Sequence, residues 1–203
     1  MTAHASTIAV PLVPRAMLFG YPRYSLPQIS PDGTRVAYLS ADERGVLQVW
    51  LRGEEGQKDR VLTHDPRRGI RSYTWTHLPD RMIYLQDANG DENFHLFLVD
   101  VTSGQVRDLT PYTGVRAELI ALHHEHPEEA LVAMNLKDRQ RMDVYRISLA
   151  SESAELDTVN PGNVQSWTAC GLKVLAAVLG ADDGGQDLLL RDDTGQPWRV
   201  ARH

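Results

Sequence analysis

Apolar positions along the chain fall in short runs bounded by Gly, Pro, Asp and Asn, and no 3.6-residue period persists over about twelve positions. Four runs are continuous enough for strands buried on both faces: Val36-Ala37-Tyr38-Leu39, Met82-Ile83-Tyr84-Leu85, Leu131-Val132-Ala133-Met134 and Val174-Leu175-Ala176-Ala177. About a dozen residues after each comes a second strand-like run. Its markers are Val49-Trp50, Leu96-Phe97, Val144-Tyr145 and Leu188-Leu189, at steps of 47, 48 and 44 residues.

Turn chemistry frames these runs. Ser30-Pro31-Asp32-Gly33 precedes the first, with proline presetting φ and glycine accepting a positive one. Leu78-Pro79-Asp80-Arg81, His126-Pro127-Glu128-Glu129 and Ala169-Cys170-Gly171 are its degenerate copies. After the second run a hairpin is read at Glu55-Gly56, Thr102-Ser103-Gly104 and Asp193-Thr194-Gly195, followed by a closing strand such as Val61-Leu62-Thr63 or Val106 to Thr110. Trp75 and Trp167 stand two repeats apart. Units of four short strands repeating every 44 to 48 residues predict an all-β fold of β-propeller blades, WD40-like or TolB-like. The predicted division is an N-terminal arm over residues 1–23 and a propeller portion over 24–203, with blades at 24–69, 70–115, 116–162 and 163–203. A β-sandwich with fortuitous spacing is the competing reading. Four units that do not close leave the outer faces of the first and last uncovered, which would expose residues of the Val36 to Leu39 and Val174 to Leu179 runs.

Composition narrows the function classes. With 42% hydrophobic and 24% charged residues the chain is not disordered, and it has no apolar run near the ~18 residues of a membrane span. Without such a run a membrane is not an expected partner, and the net charge of −6 makes nucleic acid an unexpected one as well. No Lys or Arg precedes Arg15, and Pro11 and Pro14 interrupt the first apolar stretch, so a secretory leader is poorly supported and a cytoplasmic location is expected. The single Cys170 can form no internal disulfide or zinc cluster and reads as a small buried apolar residue.

Candidate chemistry is sparse. Asp87-Ala88-Asn89-Gly90-Asp91 begins like a calcium loop, but Glu92 stands where glycine is needed and Leu98 where the bidentate glutamate belongs. Asn89-Gly90 is instead a strong hairpin signal. His123, His124 and His126 lie between two strands and read as an exposed loop rather than a zinc site. Arg67, Arg68 and Arg71 form a small basic patch, read as solvated or paired with the Asp91-Glu92 loop. No cofactor and no metal is expected.

The opening stretch PLVPRAMLFGYPRYSLPQISPDGTRVAYLSADERGVLQVW resembles the start of the prolyl oligopeptidase (S9) family, in its acylaminoacyl-peptidase and dipeptidyl-peptidase-like branch. The segment IRSYTWTHLPDRMIYLQDANGDENFHLFLVDVTSGQVRDLTPYTGVRA looks like its second blade, and residues 120–203 resemble it more faintly. Tyr21 departs from the family's frequent Asn. The resemblance implies an N-terminal propeller portion, incomplete because seven or eight blades are usual. Its partner would be a C-terminal α/β-hydrolase domain bearing a Ser-Asp-His triad, and its task to restrict entry to short peptides. The Gly-x-Ser-x-Gly elbow that presents the nucleophile occurs nowhere in this sequence, so no catalytic residue is assigned and the chain alone is expected to be inactive. By the same resemblance Asp91, Glu92 and Asn93 are the substrate-facing candidates. The alternative is a stand-alone TolB-like scaffold that binds a protein or small ligand.

Overall fold

A computed structural model describes residues 12–20, 22–88, 90–151 and 153–203. A five-residue helix, α1 (Arg15–Phe19), precedes four antiparallel sheets of four strands each. The first holds β1 (Ser25–Ile29), β2 (Val36–Ala41), β3 (Leu47–Leu51) and β4 (Arg60–Val61). The second holds β5 (Tyr73–Trp75), β6 (Arg81–Gln86), β7 (His95–Asp100) and β8 (Val106–Asp108). The third holds β9 (Ala117–His123), β10 (His126–Asp138), β11 (Arg141–Ser148) and β12 (Ala154–Thr158). The fourth holds β13 (Val164–Cys170), β14 (Lys173–Gly180), β15 (Gln186–Leu190) and β16 (Arg199–Arg202). Within each sheet the strands lie side by side in chain order, the meander of a propeller blade. The continuous apolar runs are the second strands and the marker pairs sit in the third, so the two most apolar strands occupy the middle of every sheet.

The first turn shows why its sequence folds as it does. Asp32 Oδ1 accepts hydrogen bonds from the Ser30 hydroxyl at 2.6 Å, the Thr34 amide at 3.1 Å and the Thr34 hydroxyl at 2.9 Å. Gly33 takes a φ of +73°, a region that costs any residue with a Cβ. The third turn departs from expectation. His126 to Glu129 lie inside β10, and the reversal comes two residues earlier, at His124-Glu125, with His126 paired to His123. Pro127, which has no N–H to donate, falls in the stretch between His126 and Ala130 where the register shifts. His123 and His126 are therefore strand ends facing each other, not members of a long loop.

The sheets are held face to face by three apolar cores. Leu39, Val49 and Ile70 meet Trp75, Met82 and Val99 between the first and second sheets. Ile83, Leu96 and Leu98 meet Val132, Met134 and Ile147 between the second and third. Leu131, Ala133 and Val144 meet Leu172, Val174 and Trp167 between the third and fourth. Among the described residues no fourth core joins the last sheet to the first. The first strands of the first two sheets lie against one another, β1 on β5, as do those of the last two, β9 on β13.

Two expectations about exposure are corrected here. In the first run only Val36 is exposed, at 37%: Ala37 and Leu39 face the core shared with the second sheet, while Tyr24 packs edge-on against the Tyr38 ring and the Tyr38 hydroxyl donates to Asp59. The uncovered apolar surface of this sheet lies instead on β1, where Ile29 is 67% exposed. Cys170 is exposed, not buried, because it is the last residue of β13, at the hairpin tip closed by Gly171. The short helix α1 was not anticipated in an all-β reading. Its Met17, Leu18 and Phe19 are exposed.

Candidate functional site

The loop that follows β4 and the hairpin between β6 and β7 come together at the seam of the first two sheets. A buried polar network fixes the first of these. Gln48 Nε2 donates to the Asp65 carbonyl at 2.8 Å, while its Oε1 accepts from the Thr63 hydroxyl at 2.9 Å and the Asp65 amide at 3.0 Å. Asp65 in turn accepts the amides of Arg67, Arg68 and Gly69 on Oδ1, at 2.8 to 2.9 Å, and Gln86 Nε2 on Oδ2 at 2.8 Å. Burial pushes its carboxyl up, but these four donors outweigh burial and hold it below the usual carboxylate value. Gln86 lies on β6, so the network ties the loop to the second sheet.

The β6–β7 hairpin carries the three candidates. Asn89 lies outside the described residues, so the Asn-Gly half of the hairpin signal is not seen. Gly90 has φ +92°, and the Arg68 guanidinium lies against it, 3.1 Å from where a Cβ would stand. Asp91 Oδ1 accepts the amides of Ala88 and Asn93 at 3.2 and 3.1 Å, and the Asn93 side-chain amide donates to Oδ2 at 3.1 Å. The Asn93 side chain is the first cause of the lowered Asp91 pKa. Glu92 sits at φ +61°, a left-handed conformation costly for a residue with a side chain, and its amide donates to Asp87 Oδ2 at 3.3 Å. The structure thus joins Asp91 and Asn93 in one hydrogen-bonded turn and turns Glu92 outward as an exposed neighbour. No ion pair links Arg67, Arg68 or Arg71 to Asp91 or Glu92 among the described residues. Arg68 meets the hairpin through Gly90 instead.

Between the loop and the hairpin opens a cleft of about 420 Å³ lined by Leu62, Tyr84, Asp87, Asn93, His95 and Phe97, among others. Its apolar wall is the stacked pair Tyr84 and Phe97, with ring centroids 5.3 Å apart. Burial, with Asp108 and Asp65 nearby, pushes the Tyr84 hydroxyl up to about 12, so it stays protonated. His95 Nδ1 lies 2.7 Å from Asp108 Oδ2, which orients the ring toward the same space. Aromatic faces beside a buried carboxylate and a carboxamide suit binding of a mixed apolar and hydrogen-bond-donating group. Only Asn93 of the three candidates lines this cleft. Tyr84, Phe97 and His95 were missed as site residues, because in sequence they are strand positions like any others, and Asp87 was weighed only as the start of a calcium-type loop.

No group of three or more metal-ligating side chains converges among the described residues. His123, His124 and His126 pack near one another, the His123 and His124 rings 4.5 Å apart, and His124 lies 6.1 Å from His77. None of the described helices is long and apolar enough to cross a membrane.

Four meandering sheets stacked through apolar seams define a β-propeller-type protein. Solved structures agree in fold: the β-propeller domain of the Trilobed protease from Pyrococcus furiosus superimposes with a TM-score of 0.56 at 17% identity, over 88% of this chain and 56% of that one. No protein-family model matches the chain. Dipeptidyl aminopeptidase BIII of Pseudoxanthomonas mexicana is 39% identical over 186 residues, covering 91% of this chain and 27% of that protein. Dipeptidyl peptidase family member 6 of Caenorhabditis elegans is 27% identical over 156 residues, 74% of this chain and 21% of its own length. The chain therefore spans about a quarter of the length of these relatives. It belongs to the prolyl oligopeptidase (S9) family and corresponds to the N-terminal propeller part of its members.

Proposed function

We propose that the chain is the non-catalytic propeller portion of an S9-type serine peptidase and restricts access of short peptides to an α/β-hydrolase domain. The observation that carries this reading is the 39% identity to a dipeptidyl aminopeptidase over 91% of the chain. The cleft beside Asn93 supports a substrate-facing role for the β6–β7 hairpin. It offers Asp87 and Asn93 for hydrogen bonds and Tyr84 with Phe97 for an apolar side chain, and it lacks a nucleophile paired with a base. Rigidity fits recognition: Asp91 and Asn93 hold each other, and Glu92 is kept in a costly backbone conformation of a kind that recurs where a side chain is displayed for binding.

The test joins this chain to the remainder of the Pseudoxanthomonas enzyme in place of its homologous part. The chimera is expected to cleave a chromogenic dipeptidyl substrate and to spare a folded protein. Replacing Asp91, Glu92 and Asn93 together by Ala is expected to raise KM several-fold with kcat nearly unchanged, while residues 1–203 alone show no turnover. Turnover by the isolated chain, abolished by a serine-directed phosphonate, or a folded chimera whose KM ignores the triple substitution, would overturn the reading.

A further inference from the structure

The cleft beside Asn93 carries an unbalanced charge. Asp87 lines it with 7% of its surface exposed, a setting that is costly for a carboxylate without a partner. Its Oδ2 receives the Glu92 amide at 3.3 Å, long for such a bond, and no ion pair reaches it among the described residues. Asp65 has none either, and Asp108 has only His95. Both stand close enough to the Tyr84 hydroxyl to oppose its ionisation. Neither lysine nor arginine lines the cleft, and Arg68 of the adjoining loop rests against Gly90 instead.

The rest of the lining adds an acceptor and a flat apolar wall. The Asn93 side-chain amide donates to Asp91, while its Oδ1 takes no hydrogen bond from the described residues. Tyr84 stands opposite Phe97 and Phe97 opposite Asp108, so both rings and that carboxylate share one face of the second sheet. His95, two residues before Phe97, shares it too. The three rings are nearly parallel, with interplanar angles of 16° between Tyr84 and Phe97 and 23° between His95 and Phe97. Tyr84 is buried, so the half-buried Phe97 supplies the accessible ring surface.

We propose that this cleft is a subsite for an arginine side chain of a peptide substrate, with the stem on Phe97 and the guanidinium at Asp87 and Asn93; this rests on the substrate-facing reading of the β6–β7 hairpin. Carboxylates without counter-charge, a spare carbonyl and an aromatic wall call for a group that is cationic, donates without accepting and has an apolar stem. Arginine answers all three: its planar fork has donors and no acceptor, it stacks on aromatic faces, and its aliphatic stem covers apolar surface. The ammonium of a chain terminus is a compact point charge without a stem and would leave the ring wall unused. The volume of about 420 Å³ falls within the range of small-ligand sites, roughly 300 to 1,000 Å³.

Calorimetric titration of the chain with Nα-acetyl-arginine amide tests this. The acetyl group removes the α-ammonium, so binding reports the side chain. The citrulline analogue keeps the shape and loses the charge, and is expected to bind at least about tenfold more weakly. Asp87→Asn, which keeps an acceptor for the Glu92 amide, and Phe97→Leu, which keeps an apolar contact, are each expected to weaken arginine binding several-fold. Glu155→Gln, the same change of charge at an exposed position of the third sheet, is expected to leave it unchanged. Equal affinity for the arginine and citrulline analogues overturns the inference without recourse to any variant. So does alaninamide, with its free ammonium, binding as tightly as the arginine probe. Absence of saturation up to about 10 mM, tenfold above the ~1 mM that bounds ordinary KM values, overturns it as well. Each of these results leaves the access-restricting reading standing, because that reading is tested by turnover of the chimera and not by binding to this chain.

Discussion

Asp65 shows how one residue organises a seam. It is 3% exposed, and its side chain caps three consecutive amides while its backbone serves Gln48. Replacing it by Ala leaves those amides without their acceptor, and a cost of about 1.5 to 3 kcal/mol is expected in urea unfolding, the range for hydrogen bonds to a charged group. The pH dependence has a definite sign. The folded carboxyl is held below its ordinary value of 3.8, so unfolding binds a proton at acid pH. Its contribution is therefore complete above the ordinary carboxylate value and is lost as pH falls through the lower folded one. In Asp65→Asn that acid-side dependence is expected to flatten, with stability near neutral pH reduced. A variant as stable as wild type at pH 7 and pH 3 alike would contradict the role.

Elements were more legible than residues. The middle strands β2, β3, β6, β7, β10, β11, β14 and β15 all fall on apolar runs and marker pairs visible in the sequence, because a strand covered on both faces must be apolar throughout. Edge strands leave weaker traces: β4 is only Arg60–Val61, and Leu62 and Thr63 serve the core and the Gln48 network instead. The His126-Pro127 pair resembled the Ser30-Pro31 turn in composition, yet pairing of His126 with His123 placed the reversal earlier, since tertiary register overrides local turn preference. Cys170 shows the same limit, for nothing local says that a small apolar residue ends at a hairpin tip. The candidate hairpin was legible through Gly90 and Asp91, whereas the cleft was not, because Leu62, Tyr84 and Phe97 meet only when two repeats stack. The hydrogen bonds from Arg60 to the Val101 carbonyl and from Arg107 to the Leu149 and Ala150 carbonyls, each joining one sheet to the next, were likewise invisible, since an arginine on a strand has no sequence mark of its carbonyl partner. Arg107→Ala, which removes two donors from the seam of the second and third sheets, is expected to cost about 1 to 3 kcal/mol. Equal urea midpoints for variant and wild type would show that these two hydrogen bonds contribute nothing.

At the scale of the whole molecule the number of seams governs stability. Among the described residues, four sheets with three apolar cores leave the second and third covered on both faces and the first and fourth on one. In such a linear array each unit is stabilised by its neighbours, so the ends open before the middle. Peptide-resolved hydrogen exchange on residues 1–203 reads this directly. Amides of β6, β7, β10 and β11 are expected to exchange at least about tenfold more slowly than those of β2, β3, β14 and β15, a difference of ~1.4 kcal/mol in opening free energy. Equal protection of the middle strands in all four sheets would contradict the open four-bladed array and require a ring closed upon itself.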